Sequence, residues 1–226
     1  MKRQRDLRSL YDHSYTEKFE KNNHPTRLER LLQHLVLDPD YRVVDFGCGS
    51  GILMPYVAPR VYSYVGVDFS QSFIDIANEH RSRLCTPNAT FVCSAIGDFC
   101  GDYRDYFNVG LAMDLSEHVY DEEWLEILTS IRLSLKTGGS LYLHTPNGEF
   151  FLEIWKSRNF IVKQFPEHVA VRNPEQNVSL LEHAGFQIRR TLYLPHYNIL
   201  RHLDYFSALP LVGKYLKARL FIEAVR

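Results

Sequence analysis

Residues 43 to 53 read VVDFGCGSGIL, a β-branched and aromatic run that ends near an acid and is followed by glycines at positions 47, 49 and 51. Such a run favours a strand. Glycines at alternate positions let the chain turn sharply, and they let another group approach the main chain where a Cβ would clash. A strand leading through this kind of turn towards a helix is the opening unit of a doubly wound sheet, whose ligand crevice lies beyond the carboxyl ends of its strands. The stretch therefore predicts an α/β fold that holds a ligand at the end of its first strand.

The rest of the chain fits that frame. HPTRLERLLQHLV places Leu28, Leu31, Leu32, Leu35 and Val36 at helical spacing, with Pro25 in the first turn. YRVVDF is the first strand, ILMPYVAP a short helix and VYSYVGVDF the second strand. SQSFIDIANEHRSRL predicts a helix with Phe73, Ile76, Ala77 and Leu84 on its apolar side, followed by strands at ATFVCS and YFNVGLAM. DEEWLEILTSIRLSLKTGG starts with acids and ends with Lys136 before two glycines, as a helix should. SLYLHTP is the fifth strand. Asn173 and Pro174 open another helix that Gly185 stops, and FQIRRTLYL and RLFIEAVR complete the strands. The expectation is one domain over residues 1–226: a Rossmann-like, doubly wound, seven-stranded and mostly parallel sheet. Residues 1–24 would be an N-terminal helical segment or tail, and residues 195–217 an insertion on the substrate side, before the last strand.

Composition narrows the function classes. With 226 residues and 45% hydrophobic content, the chain is long enough to bury a sizeable core. A net charge of -1 lacks the basic excess that strong nucleic-acid attraction needs, and the basic stretch MKRQRDLR is read as a solvated tail. No run of about 18 apolar residues occurs and no apolar segment follows the first charges, so a cytoplasmic location is expected. Cys48, Cys85, Cys93 and Cys100 lack CxxC spacing, which points to buried free thiols.

Two cofactor classes compete for the glycine turn. A dinucleotide site would place its third glycine at position 52, which is Ile52 here. Asp45, just before the loop, would repel a phosphate. It suits a cofactor with a cationic amino-acid tail and no phosphate, as in S-adenosylmethionine. Asp68, at the end of the second strand, can accept both ribose hydroxyls, and Phe69 can lie against the adenine face.

Through VVDFGCGSG, VGVDFS, MDLSEHV, LKTGGSLYLHTPN and the terminal strand pair, the chain resembles the class I S-adenosylmethionine-dependent methyltransferases. The resemblance implies that cofactor, held by Gly47, Cys48, Gly49 and Gly51 together with Asp45 and Asp68. Many relatives carry an acid after the third strand to meet the adenine amino group. This chain has Ser94 there, so the Ser94 hydroxyl and the Ala95 backbone are expected to read the adenine edge.

Within that superfamily the chain is most similar to the O-methyltransferases of ubiquinone biosynthesis, at HPTRL, GILMP and MDLSEHV. That similarity makes Arg27 and Met113 cofactor contacts. It also matches Asp114, Glu117 and His118 to residues that hold a divalent ion in some relatives. If the segment opens a helix, this i, i+3, i+4 spacing gathers the three on one face, where Mg²⁺ would find oxygen ligands. Methyl transfer is an in-line displacement, and an oxygen nucleophile must also lose its proton. His118 is the first candidate for that role and His144 the second, while His168 reads as a surface loop residue, with a place in the lining of a substrate lid as the alternative.

The insertion PHYNILRHLDYFSALPLVGKYLKARL mixes aromatic and aliphatic residues with basic ones. It suits a cover over a small hydrophobic acceptor, or peripheral contact of residues 195–217 with an anionic membrane surface. No Asn-Pro-Pro-Tyr follows the fourth strand, which argues against an RNA base as acceptor. The expected activity is O-methylation of a small hydrophobic molecule. The alternatives are N-methylation of an amine and a cofactor-binding, non-catalytic partner subunit.

Overall fold

The computed structural model describes residues 25–158, 168–196 and 199–226. The expected N-terminal segment, residues 1–24, lies outside the described residues. Helix α1 (Pro25–Leu32) leads to β1 (Arg42–Phe46), α2 (Met54–Val57), a 3₁₀ turn at Ala58–Arg60, β2 (Ser63–Asp68) and α3 (Gln71–Arg83). Then follow β3 (Ala89–Cys93), α4 (Ile96–Gly101), β4 (Phe107–Met113), a 3₁₀ turn at Ser116–His118 and α5 (Asp121–Ser134). β5 (Leu135–Pro146), α6 (Phe151–Ser157), α7 (Pro174–His183), β6 (Gln187–Leu194), 3₁₀ turns at Ile199–Phe206 and Gly213–Leu216, and β7 (Arg219–Val225) complete the chain.

The seven strands form one sheet in the order β3-β2-β1-β4-β5-β7-β6. The first five pair in parallel, and β7 runs antiparallel to both of its neighbours. The sheet is therefore mostly parallel and doubly wound, with the insertion between β6 and β7. From β1 the chain steps outward through β2 and β3, then crosses back to β4 on the other side of β1. The strand order reverses between β1 and β4, and ligands of such sheets bind at this switch point.

Successive residues of a strand face opposite sides of the sheet, and two cores follow. Val43, Tyr64, Val109 and Tyr142 pack with Leu31, Met54, Val57, Ile74 and Ala77 on one side. Val44, Phe46, Phe107 and Leu141 pack with Phe99, Trp124, Leu128, Ile131 and Leu181 on the other. These near-continuous apolar strands are what a sheet covered on both faces requires.

Local signals in the sequence set several boundaries as read. The Asn173 side chain accepts from the Gln176 amide at 2.8 Å while the Gln176 side chain accepts from the Asn173 amide at 2.9 Å, a reciprocal cap with Pro174 in the first turn. Other expectations are corrected. α5 ends at Ser134 because Leu135 already pairs with Phe107 in the sheet, so Lys136 belongs to β5. α3 buries Ile74 with Phe73 and Ala77, whereas Leu84, one residue past its end, is exposed. Val36 likewise lies beyond α1 and faces outward. Of the four free thiols, Cys48 and Cys100 are buried, but Cys85 and Cys93 are exposed at a helix end and a strand end. Helices α4 and α6 are too short to show an apolar period in the sequence. Among the described residues no helix is long and apolar enough to cross a membrane.

Candidate cofactor and acceptor site

The loop after β1 is tied to β2. The Gly47 and Cys48 amides donate to the Val67 carbonyl at 2.8 and 3.1 Å, and the Gly49 amide donates to Asp68 Oδ2 at 3.0 Å. Gly47 has a φ of +69°, and a Cβ there would stand 2.9 Å from Leu115 Cδ1. Gly51 has a φ of +75°, and its Cβ would meet Phe91 Cζ at 2.7 Å. The expectation was that a ligand excludes side chains from this loop. At these two positions, left-handed backbone and the chain's own side chains already demand glycine. The loop is thus shaped before any ligand arrives.

Two acids stand at the ends of the neighbouring strands. Asp45 is buried, and the Tyr64 hydroxyl donates to its Oδ2 at 2.5 Å. Val43 pairs with Tyr64 and Asp45 with Gly66, so Tyr64 and Asp45 point to the same side of the sheet. Burial pushes the Asp45 carboxyl up to about 7; the Tyr64 hydrogen bond opposes the shift and the nearby Asp68 charge adds to it. Asp68 is also buried and also raised, mainly by desolvation, against which the Gly49 and Ser70 amides stabilise its charge. Two buried, costly carboxylates at adjacent strand ends favour a ligand that brings a positive charge and hydroxyl donors. The Cys48 thiol is raised well above its ordinary value by burial, which leaves it an unreactive wall.

Around the acids, Phe69 is 40% exposed and keeps ring surface open to solvent. The Ser94 amide donates to the Asp68 carbonyl at 2.9 Å, and the Ser94 hydroxyl donates to the Ala95 carbonyl at 3.0 Å. Met113, half-buried, ends β4 beside the switch point. Arg27 belongs to α1, but its side chain lies outside the described residues.

The segment after β4 departs from expectation. It does not open an α-helix: Asp114 has a left-handed φ of 52°, and only Ser116–His118 form a 3₁₀ turn. Asp114 Oδ1 accepts from Arg219 Nη1 at 2.8 Å and lies 3.3 Å from His144 Nδ1, so its carboxylate is committed to β7 and β5. Glu117 is buried, with Oε2 accepting from Thr145 Oγ1 at 3.1 Å, which in turn accepts from Ser116 Oγ at 3.0 Å. His118 meets His168 edge to face at 5.0 Å between ring centroids.

His168 is therefore no surface loop residue. The segment that carries it is stitched to the turn: the Ala170 amide donates to the Glu117 carbonyl at 3.0 Å. Arg172, itself buried, donates to the Ser116 carbonyl at 2.6 Å, the Val119 carbonyl at 2.7 Å and Asp121 at 2.8 Å. Burial, helped by the His118, Lys156 and Arg219 charges, pushes the His168 imidazole down to about 3, so the ring is neutral at ordinary pH.

The donor atoms of Glu117, His118 and His168 lie within 4.8 Å of one another, and Asp114 is not among them. One carboxylate and two imidazoles do not match the oxygen-rich octahedron that Mg²⁺ demands. The residues present do not fit the expected magnesium site. Tyr64, Thr145, His168, Arg172 and Arg219 carry no motif signal; Tyr64 alone was readable, from strand alternation once the β1–β2 register is set.

Fold and site together define an α/β protein of the Rossmann-like, cofactor-binding class. The profile of the methyltransferase-domain family matches residues 15–191, and the chain belongs to that family. It is similar to a ubiquinone biosynthesis O-methyltransferase of Coxiella burnetii, with 32% identity over 126 residues covering 56% of this chain and 52% of the relative. A protein of the same name from Chromobacterium violaceum is 24% identical over 171 residues, 73% of this chain and 72% of the relative. The chain thus spans about half the length of the first of these curated relatives. A solved S-adenosylmethionine-dependent methyltransferase of Archaeoglobus fulgidus shares the fold with a TM-score of 0.70 at 17% identity, over 95% of this chain and 100% of that one.

Proposed function

We propose that this protein moves a methyl group from S-adenosylmethionine to an oxygen atom of a small, hydrophobic acceptor. The observation that carries the reading is the pair of buried acids, Asp45 and Asp68, at adjacent strand ends around a preshaped glycine loop. Asp45 faces the cationic amino-acid tail and Asp68 the ribose hydroxyls. Phe69 lies on the adenine face, Ser94 and Ala95 read its edge, and Met113 with the loop Gly47, Cys48, Gly49 and Gly51 lines the remaining wall. Arg27 is assigned to the cofactor on the resemblance alone.

An acceptor hydroxyl must lose its proton as the new carbon–oxygen bond forms, and the His118 imidazole, which ends the turn that follows Leu115, the residue packed on Gly47, suits that task. His144, buried against Asp114, is the second candidate. Oxygen as the acceptor atom is favoured by the names of the curated relatives. In the insertion, Tyr205 and Leu211 are 81% and 91% exposed beside Lys214 and Arg201, which suits peripheral contact with an anionic membrane surface that delivers an apolar acceptor. A cytoplasmic location belongs to the same reading.

A screen of phenolic, amine and lipid acceptors with methyl-labelled cofactor tests it. Label is expected on the oxygen of an apolar phenol. Label on an amine would make the protein an N-methyltransferase, and cofactor binding without turnover for any acceptor would make it a non-catalytic partner subunit. No calorimetric binding of the cofactor or its demethylated product would overturn the reading altogether.

Asp45 adds a pH signature. Its carboxyl is held at about 7 in the free protein, and a cofactor ammonium favours the ionised form, so binding displaces the proton. Affinity should rise with pH up to about 7 and level off above it. Between pH 7.5 and 5.5 the expected loss is about 25-fold if the bound carboxyl stays ionised. Calorimetry in two buffers of different ionisation enthalpy checks this: proton release near pH 6 is expected, and a pH-independent Kd would remove Asp45 from the cofactor.

A further inference from the structure

Tyr64 is fully buried, and its side chain lies on the same side of the sheet as Asp45. The packing around it fixes where the ring lies. Gly66, beside Asp45 in the sheet, leaves side-chain space to its neighbours: a Cβ there would stand 2.5 Å from Phe91 Cδ1 and 2.9 Å from Cys48 Sγ. Phe91 fills that space from β3. Its ring meets the Tyr64 ring edge on at 6.0 Å between centroids, and its far end backs Gly51 of the glycine loop. The Tyr64 hydroxyl is thereby delivered to Asp45 Oδ2, to which it donates at 2.5 Å, the short length of a charge-assisted bond.

A buried tyrosine hydroxyl needs a partner, and a backbone carbonyl would suffice. Here the partner is the acid assigned to the cofactor's tail. We propose that Tyr64 is a positioning residue for cofactor capture: by holding Oδ2 it keeps the Asp45 carboxylate charged and turned, with Oδ1 left to receive the cofactor's ammonium. This role rests on the assignment of Asp45 to that ammonium. The reason is electrostatic. Desolvation, together with the Asp68 charge at the next strand end, favours a proton on Asp45. Among the described residues, the titratable groups that act on Asp45 are Tyr64 and Asp68 from β2 and Cys48 from the loop, while β4 sets the apolar Leu111 beside it. Asp68 repels and Cys48 is held as a neutral thiol, so of these three it is Tyr64 that stabilises the charge. Burial raises the Tyr64 hydroxyl well above its ordinary value, and it stays a donor at every working pH. Without that donor the free protein holds Asp45 protonated at neutral pH, and an arriving ammonium must first displace the proton.

Tyr64→Phe in the full chain removes the hydroxyl and keeps the ring. Losing one hydrogen bond to a charged group should raise the Asp45 carboxyl by about one to two pH units. Calorimetry then compares variant with parent. The variant should bind the demethylated cofactor about 5 to 50-fold more weakly at pH 7 and within about twofold of the parent at pH 9, because the ionised forms bind alike. Methylthioadenosine, the same thionucleoside without the amino-acid tail, should bind both proteins equally at either pH. A loss of the same size at pH 7 and pH 9, a loss that extends to methylthioadenosine, or no loss at all would overturn the proposal. Carbon NMR of ligand-free protein labelled at aspartate reads the carboxyl itself, its signal assigned by disappearance in Asp45→Asn; a midpoint that stays put in Tyr64→Phe also overturns it. Should the variant fail to fold, proton NMR of the unsubstituted protein decides: a low-field Tyr64 hydroxyl signal that changes as Asp45 titrates supports the role, and one indifferent to that titration overturns it. A parent that binds neither probe brings down the methyl-transfer reading and this role with it, whereas a parent that binds both beside a variant that fails these comparisons removes Tyr64 alone.

Discussion

Replacing His118 with alanine is expected to lower kcat by about 10²–10⁴-fold, the range for removing a positioned acid or base, while leaving cofactor affinity nearly unchanged. The asymmetry follows from where the residue sits. His118 ends the 3₁₀ turn after β4, on a different segment from Asp45 and Asp68, and its ring packs on His168. Its nitrogen takes the acceptor's proton in the proposed reaction, so the loss falls on the chemical step. Single-turnover rates with a responsive acceptor, set beside calorimetry of the demethylated cofactor, separate the two effects. Full activity would remove His118 from the mechanism, and an equal loss in rate and affinity would make it a structural residue.

Asp68→Ala should instead strike binding. A hydrogen bond to a charged group contributes about 1.5–3 kcal/mol, which corresponds to a cofactor affinity weakened by roughly 10 to 150-fold. The structure adds a reason for the upper part of that range. Asp68 Oδ2 accepts from the Gly49 amide and Oδ1 from the Ser70 amide, so truncation removes the ribose partner and also unties the glycine loop from β2. Asp68→Asn keeps the shape and one acceptor oxygen, and should lose less. Calorimetry with the demethylated cofactor measures both; an alanine variant that binds as well as the parent would dissociate Asp68 from the cofactor.

These two predictions differ in how far they could be read without coordinates. Asp45, Asp68 and the glycines lie in and after strands whose signals are local: β-branched runs, a turn forced by glycines and an acid at the strand end. Their convergence follows once β1 and β2 are neighbours in a parallel sheet, and the same locality made the Asn173 cap and all seven strands legible. The segment Met113–His118 failed the same treatment because helical spacing says nothing when the chain is not helical. Asp114 enters the left-handed region and turns to Arg219 and His144, so the i, i+3, i+4 pattern never forms a face. His168 looked like a loop residue because the bond that seats it, from Ala170 to Glu117, joins main-chain atoms, and backbone atoms carry no sequence signature.

The chain by itself determined the layered architecture, the glycine turn after the first strand and the two acids near it, since period, glycine placement and charge act over a few residues. Tertiary structure alone decided which partners those groups have. Tyr64 reaches Asp45 only through strand register, and Gly47 and Gly51 are constrained by Leu115 and Phe91. His168 joins Glu117 and His118 only through contacts between distant segments. Such contacts depend on how several elements pack at once, and no single window of sequence contains them.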